Sequence, residues 1–139
     1  MQTPPHAVAW RPDILSGYSA QVIPLDGDCE GSAVATLVRY DGAPEGVRRA
    51  VLHLHGYNDY FHCAEMGPRF AEAGWGFYAI DLRKHGRSLQ AHQSACLVRD
   101  FSAYYPELQE AVARIRGVEE MDCLVLSAHS TGGLIGSVF

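Results

Sequence analysis

Apolar residues gather into five short runs separated by polar segments that carry Gly, Pro and Asp. Within each run the period sorts the elements, since side chains alternate faces in a strand and return to one face every 3.6 residues or so in a helix. YSAQVIPL (Tyr18 to Leu25) and GSAVATLVRY (Gly31 to Tyr40) are alternating or nearly continuous in apolar character. The turn-forming DGDCE between them predicts a hairpin of two antiparallel strands. Beyond the polar loop DGAPEGVRR, AVLHLHG (Ala50 to Gly56) reads as a third strand, WGFYAIDL (Trp75 to Leu82) as a fourth and MDCLVLSA (Met121 to Ala128) as a fifth.

Helical spacing fills the gaps between the later strands. One helix is expected within Tyr60 to Ala73, with Gly74 as its C-terminal cap and Gly67 and Pro68 marking a break or restart. Phe101, Tyr104, Tyr105, Leu108, Val112 and Ile115 then recur at helical spacing up to Gly117, which requires Pro106 to lie in the first turn. TGGLIGSVF opens a further helix. Strands and helices in alternation predict a parallel sheet with crossover helices, and continuously apolar strands are what burial on both faces demands. The fold class is therefore α/β, with the hairpin adding antiparallel strands at one edge. Residues 1–17 are read as an N-terminal arm and 18–139 as the folded portion.

Composition narrows the function classes. A 139-residue chain forms one domain at most and can bury roughly 70% of the surface it exposes when unfolded. The chain is 47% hydrophobic and 19% charged, which excludes disordered and fibrous classes. Its net charge is -5, with no run of Lys or Arg to track a phosphate backbone, so nucleic acid is not an expected partner. The prolines in MQTPPHAVAW interrupt any secretory signal, and no run approaches the roughly 20 apolar residues of a transmembrane span. Cys29, Cys63, Cys96 and Cys123 form neither a C-x-x-C pair nor a zinc pattern and are read as reduced thiols, so the expected location is the cytoplasm. No metal or organic cofactor is implied.

Candidate chemistry sits where the fifth strand ends. AHSTG (Ala128 to Gly132) is small-x-Ser-x-small at a strand-to-helix junction, close to the G-x-S-x-G nucleophile elbow with Ala for the first Gly. Small flanking residues let the turn close tightly and force Ser130 to its apex, and Gly133 is expected to let the helix sit close to the sheet. The helix N-terminus aims backbone N–H groups, Thr131's among them, at a developing oxyanion. The alternative is that Ser130 merely caps a helix. LHLHGYND places His55 and Gly56 at the end of the third strand, where Tyr57 would supply a second N–H; on its own this pair also fits a simple turn. IDLRKHGRS (Ile80 to Ser88) follows the fourth strand. All three loops lie at the C-terminal ends of parallel strands, the ligand-binding end of open α/β sheets.

HLHGYND, AIDLRKHGRS and LSAHSTGG, in that order and spacing, resemble the serine-hydrolase branch of the α/β-hydrolases that contains monoacylglycerol lipases, lysophospholipase-like esterases and serine aminopeptidases. The resemblance covers nearly the whole chain from about Tyr18 and corresponds to the N-terminal part of that fold, up to the nucleophile. It implies that Ser130 is the nucleophile and that Tyr57 and Thr131 give the oxyanion N–H groups. His55, Gly56, His129 and Gly132 are supporting residues, with His55 a structural histidine of the HG loop, and Asp81, Arg83, Gly86 and Ser88 shape the floor of the site. Ser at the nucleophile position argues against the epoxide hydrolases and haloalkane dehalogenases of this fold.

The remaining triad members follow in the order Asp or Glu, then His, from loops downstream of the nucleophile, so they are expected beyond Phe139 and the 139-residue chain alone is expected to be inactive. Of the histidines within the chain, His6 lies in the proline-rich arm, His62 and His92 in loops or helix starts, and His53 in the sheet's packing. His85 is the one near the right end, and His129 points away from the line of attack. The expected substrate is a small-molecule acyl ester, with Tyr57, Tyr60 and Phe61 as an apolar wall favouring a medium or long acyl chain. Two alternatives stand beside a hydrolase: an acyltransferase using the same nucleophile, and a non-catalytic hydrolase-like binding module. CLVLSA would be an unprotected edge, so a homo-oligomer or association with a C-terminal half is expected through the fifth strand.

Overall fold

The computed structural model describes residues 8–139, so the reading of His6 lies outside the described residues. A single six-stranded sheet has the order β1-β2-β3-β5-β4-β6. Its strands are β1 (Arg11–Pro12), β2 (Tyr18–Asp28), β3 (Gly31–Tyr40), β4 (Arg49–Leu54), β5 (Gly76–Asp81) and β6 (Cys123–Ala128). The expected hairpin is β2–β3, paired from Tyr18 with Tyr40 to Asp28 with Gly31. β3 runs antiparallel to β5, whereas β5 and β6 both lie parallel to β4. The arm is not loose where it is described: β1 pairs with β2, and Trp10 Nε1–H donates to Glu119 at 2.9 Å.

Alternation within the strands divides the core in two. Leu52, Leu54, Tyr78, Ile80 and Leu37 face one way and meet Leu108 and Ala111 of α2 (Tyr105–Ala113) and Ile115 just beyond it. Val51, Phe77, Ala79, Val38 and Tyr18 face the other way and meet Phe61, with Met66 and Phe70 of α1 (Met66–Glu72) at its margin. Both faces of β4 and β5 are thereby covered, which is why these strands have no polar stripe.

The structure sharpens the helix boundaries. α1 lies within the expected span and starts at Met66, so Gly67 and Pro68 belong to its first turn and mark its beginning, not a break. The preceding segment is irregular and is fastened by long-range bonds, Phe61 N–H to Asp81 Oδ1 at 2.8 Å among them. Gly74, at φ +84, lies one residue beyond the helix end at Ala73. There Gly74 N–H donates to Ala71 O and Trp75 N–H to Phe70 O, both at 2.9 Å, closing the helix and aiming the chain into β5. Pro106 sits in the first turn of α2 as required, and α2 continues into a π-helical turn at Arg114–Val118.

Candidate functional site

The C-terminal ends of β4, β5 and β6 converge, and the three loops singled out in the sequence follow them. At the end of β6 the chain turns directly into α3 (Thr131–Val138) through Ser130, whose backbone is at φ 54 and ψ -122. Few non-glycine residues adopt such angles, at a cost on the order of 1–3 kcal/mol that the surrounding structure must offset. Two close approaches impose the turn. A Cβ on Gly132 would lie 2.4 Å from His55 O and 2.7 Å from Leu54 O, and one on Gly56 would lie 3.2 Å from Ser130 Cβ. The β4 loop and the Ser130 turn are thus in backbone contact, and His129 Nδ1 lies 3.3 Å from that same Gly56 position.

Ser130 is exposed, and its side chain makes no capping hydrogen bond to α3. The simple capping alternative therefore has no bond to support it. Gly132 and Gly133 N–H donate to His129 O and Ser130 O, at 3.0 and 2.9 Å; the N–H of Thr131, first in the helix, has no partner within it. Gly133 does not do what the sequence reading assigned it: a Cβ there would meet nothing within 4 Å. The close approach to the sheet belongs to Gly132 alone.

Beneath the turn, two histidines are held in fixed tautomers. Leu82 N–H donates to His55 Nε2 at 3.0 Å, which puts the His55 proton on Nδ1, where it reaches Gly56 O at 2.8 Å. His55 is thereby a strut between the β4 and β5 loops, in keeping with a structural role. His85 donates from Nδ1 to Arg83 O at 2.7 Å and packs tilted against His55, with centroids 4.7 Å apart. Burial depresses the His85 and His53 imidazoles below their ordinary value, more than the nearby carboxylates raise them. His53 Nδ1 pairs with Ser127 Oγ at 3.1 Å, His62 Nε2 approaches Asp59 Oδ1 at 3.5 Å, and His92 Nε2 meets Ser32 O at 3.0 Å. Among the described residues no histidine is hydrogen-bonded to Ser130, and no cluster of His, Cys, Asp or Glu could hold a metal ion.

The floor loop is fixed by ion pairs that sequence reading named only in part. Buried Asp81 accepts from Phe61 N–H, from Arg87 N–H at 3.0 Å and from Arg87 Nη1 at 2.9 Å, while Arg87 also grips Asp13 at 2.8 Å. Ser88 Oγ donates to Asp81 O at 2.7 Å. Arg83 is bound by Glu107 of α2, through its N–H at 3.0 Å and its Nη2 at 2.8 Å, both groups being buried. Arg87, Asp13 and Glu107 were missed; the charged flanks of Gly86 were the only local signal, and it could not name the partners.

A cavity of about 200 Å³ opens beside the turn, lined by Tyr57, Thr131, His85, Tyr104, Phe101 and Ile135 with Gly56, Cys96 and neighbours. Tyr57 and Thr131 thus share one space, with Tyr57 72% exposed at its edge. The expected aromatic wall is corrected here: only Tyr57 lines this cavity, while Tyr60 and Phe61, the latter core on the opposite face of the sheet, line a different depression with His53 and His129.

A hairpin followed by parallel strands, with an exposed serine on a strained strand-to-helix turn at their C-terminal ends, is the α/β-hydrolase fold. Residues 45–139 match the sequence model of the family described as serine aminopeptidase, S33, and the chain belongs to that family. No curated protein sequence matches it. Similar solved structures include a highly thermostable carboxyl esterase from Bacillus coagulans, determined with glycerol, at 17% identity and TM-score 0.65 over 84% of this chain and 38% of that one. DcsB, solved with a substrate analogue, shares 21% identity at TM-score 0.64 over 86% of this chain and 40% of that one. A soluble variant of monoglyceride lipase from Saccharomyces cerevisiae shares 18% identity at TM-score 0.59 over 88% and 38%. The chain therefore spans about 40% of the length of the structures it matches. No helix among the described residues is long and apolar enough to cross a membrane.

Proposed function

We propose that this chain is the nucleophile-bearing part of a serine hydrolase acting on carboxylic esters. The observation that carries the reading is the Ser130 turn: a non-glycine residue at φ 54, exposed, its hydroxyl not used to cap the helix it precedes, in a member of a hydrolase family. In this reading Ser130 Oγ attacks the ester carbonyl as a base takes its proton. The oxyanion of the tetrahedral intermediate is held by the N–H groups of Tyr57 and Thr131. Collapse expels the alcohol, which leaves with the proton from the base, and water then cleaves the acyl-enzyme by the same route in reverse roles. His55 and the Asp81–Arg87 network hold the Tyr57 loop and the floor in register, acting through position.

The imidazole and its carboxylate partner are proposed to come from sequence beyond Phe139. Lipase, esterase and lysophospholipase-like substrates all fit this chemistry, and an acyltransferase differs only in the acceptor. The test is labelling with a fluorophosphonate probe. The protein carrying its triad should label at Ser130 and lose all labelling in Ser130→Ala, whereas the 139-residue chain should label far more slowly. Equal rates would place the base within these residues, and no labelling of the longer protein would favour a binding module.

A further inference from the structure

The cavity beside Thr131 holds two polar groups that the ester chemistry above leaves unused. His85 and Tyr104 line it together with Leu82, Val98, Phe101 and Ile135, and each of the two is only 4% exposed. With Nδ1–H committed to Arg83 O, His85 Nε2 carries a lone pair. That atom has no hydrogen-bond partner among the described residues and is not sealed within packed atoms, on a ring that lines the cavity. The Tyr104 hydroxyl is in the same condition. The two rings stand 6.1 Å apart, centroid to centroid, at 59°.

An acceptor and a donor left open on one small, largely apolar cavity are the polar groups that would fix the orientation of a ligand there. Burial holds the pair in these forms at neutral pH, lowering the His85 imidazole and raising the Tyr104 phenol to about 12. Cys96, on the same wall, directs its thiol to Asn58 Oδ1 at 3.6 Å and does not compete. The ring nitrogen needs a donor and the phenol an acceptor. A hydroxyl is the smallest group that is both.

We infer that His85 and Tyr104 form a hydroxyl-recognition subsite: the cavity takes a short hydroxylated group of a carbonyl-bearing substrate, its hydroxyl donating to His85 Nε2 and accepting from the Tyr104 O–H. Calling the ligand a substrate rests on the Ser130 reading; the subsite itself rests on the cavity. Size sets the class. An apolar cavity of about 150 Å³ holds one benzene molecule, so about 200 Å³ admits a short acyl or alcohol moiety and not a long chain.

The matched probes are hydroxyacetone and butanone, which exchange a hydroxyl for a methyl and cannot be hydrolysed. Each is titrated into the chain labelled with 15N-histidine and followed by NMR. Hydroxyacetone should shift the His85 Nε2 resonance and butanone should not. The ratio of the butanone to the hydroxyacetone dissociation constant should fall roughly tenfold in His85→Phe, the size of one lost net hydrogen bond to a buried group. His85→Gln, which keeps an acceptor, should restore much of the ratio, and Tyr104→Phe, which preserves the ring, should lower it without disturbing the fold. An unchanged ratio in both His85→Phe and Tyr104→Phe, or equal Nε2 shifts from the two ketones, would overturn the subsite. Fluorophosphonate labelling of Ser130, scored separately, bears on the nucleophile alone, so the two readings can fail independently.

Discussion

A methyl group at position 132 would sit 2.4 Å from His55 O and 2.7 Å from Leu54 O, and neither is a side chain that can swing away. Gly132→Ala must therefore part α3 from β4, at about 1–3 kcal/mol by the usual cost of overpacking. Gly133→Ala, one residue on in the same helix and facing open space, should instead gain about 0.5–1 kcal/mol from helix propensity. Urea unfolding of the two variants checks both, and equal effects would mean that the turn is not clamped by backbone contact. The buried histidines give a second expectation. Desolvation lowers the folded-state pKa of both His53 and His85, whereas in the unfolded chain they titrate near about 6.5. Below that value the unfolded state binds more protons, so stability is complete above it and declines as pH falls toward the folded values. The urea midpoint should drop from about pH 7.5 to about pH 5.5, and His85→Phe should flatten part of that slope.

Between elements, the clearest fastening joins the β2–β3 hairpin tip to the loop after β5. Lys84, its side chain wholly buried, meets Asp28 Oδ2 and Glu30 Oε2, each at 2.6 Å. Hydrogen bonding to Lys84 is the main cause holding both carboxyls below their ordinary values. Their contribution is present above those ordinary values and is lost as pH falls through the lower folded ones. Below about pH 4 amide exchange should quicken first around Cys29, and Lys84→Met should produce the same local opening at neutral pH. Undisturbed exchange in Lys84→Met would remove the clamp. Such fastenings are also where sequence reading stopped. β4 and β5 were legible because burial on both faces leaves them apolar almost throughout, and the Ser130 turn because its small flanking residues are local. Lys84 with Glu30, Arg87 with Asp13 and Arg83 with Glu107 lie far apart along the chain, and no local period encodes them. The start of α1 within the expected Tyr60 to Ala73 span is set in the same way, because Asp81 binds the Phe61 N–H ahead of it. Gly133 was assigned a packing role because a pair of glycines reads alike in one dimension, whereas only one of them faces β4.

Across the whole molecule the sheet is asymmetric in its protection. On one side it ends in the two-residue strand β1, too short to template another chain. On the other it ends in β6, which pairs with β4 along all six residues and meets no further strand among the described residues. Val125 and Leu126, on opposite faces of that strand, are 45% and 39% exposed, and Leu134, Val138 and Phe139 of the adjoining α3 segment are also exposed. An apolar edge carrying a free row of N–H and C=O groups recruits another strand, and β6 has neither a charge nor a proline to prevent it. The 139-residue chain should therefore associate with itself in a concentration-dependent way, seen by sedimentation velocity. Val125→Lys, which sets a charge on the edge while leaving the β4 pairing intact, should return it to a monomer. A longer form of the protein, whose own chain could add the next strand, should be monomeric without that substitution. If the 139-residue chain stays monomeric at high concentration, β6 is shielded by something other than a second strand, and its role as the assembly edge is wrong.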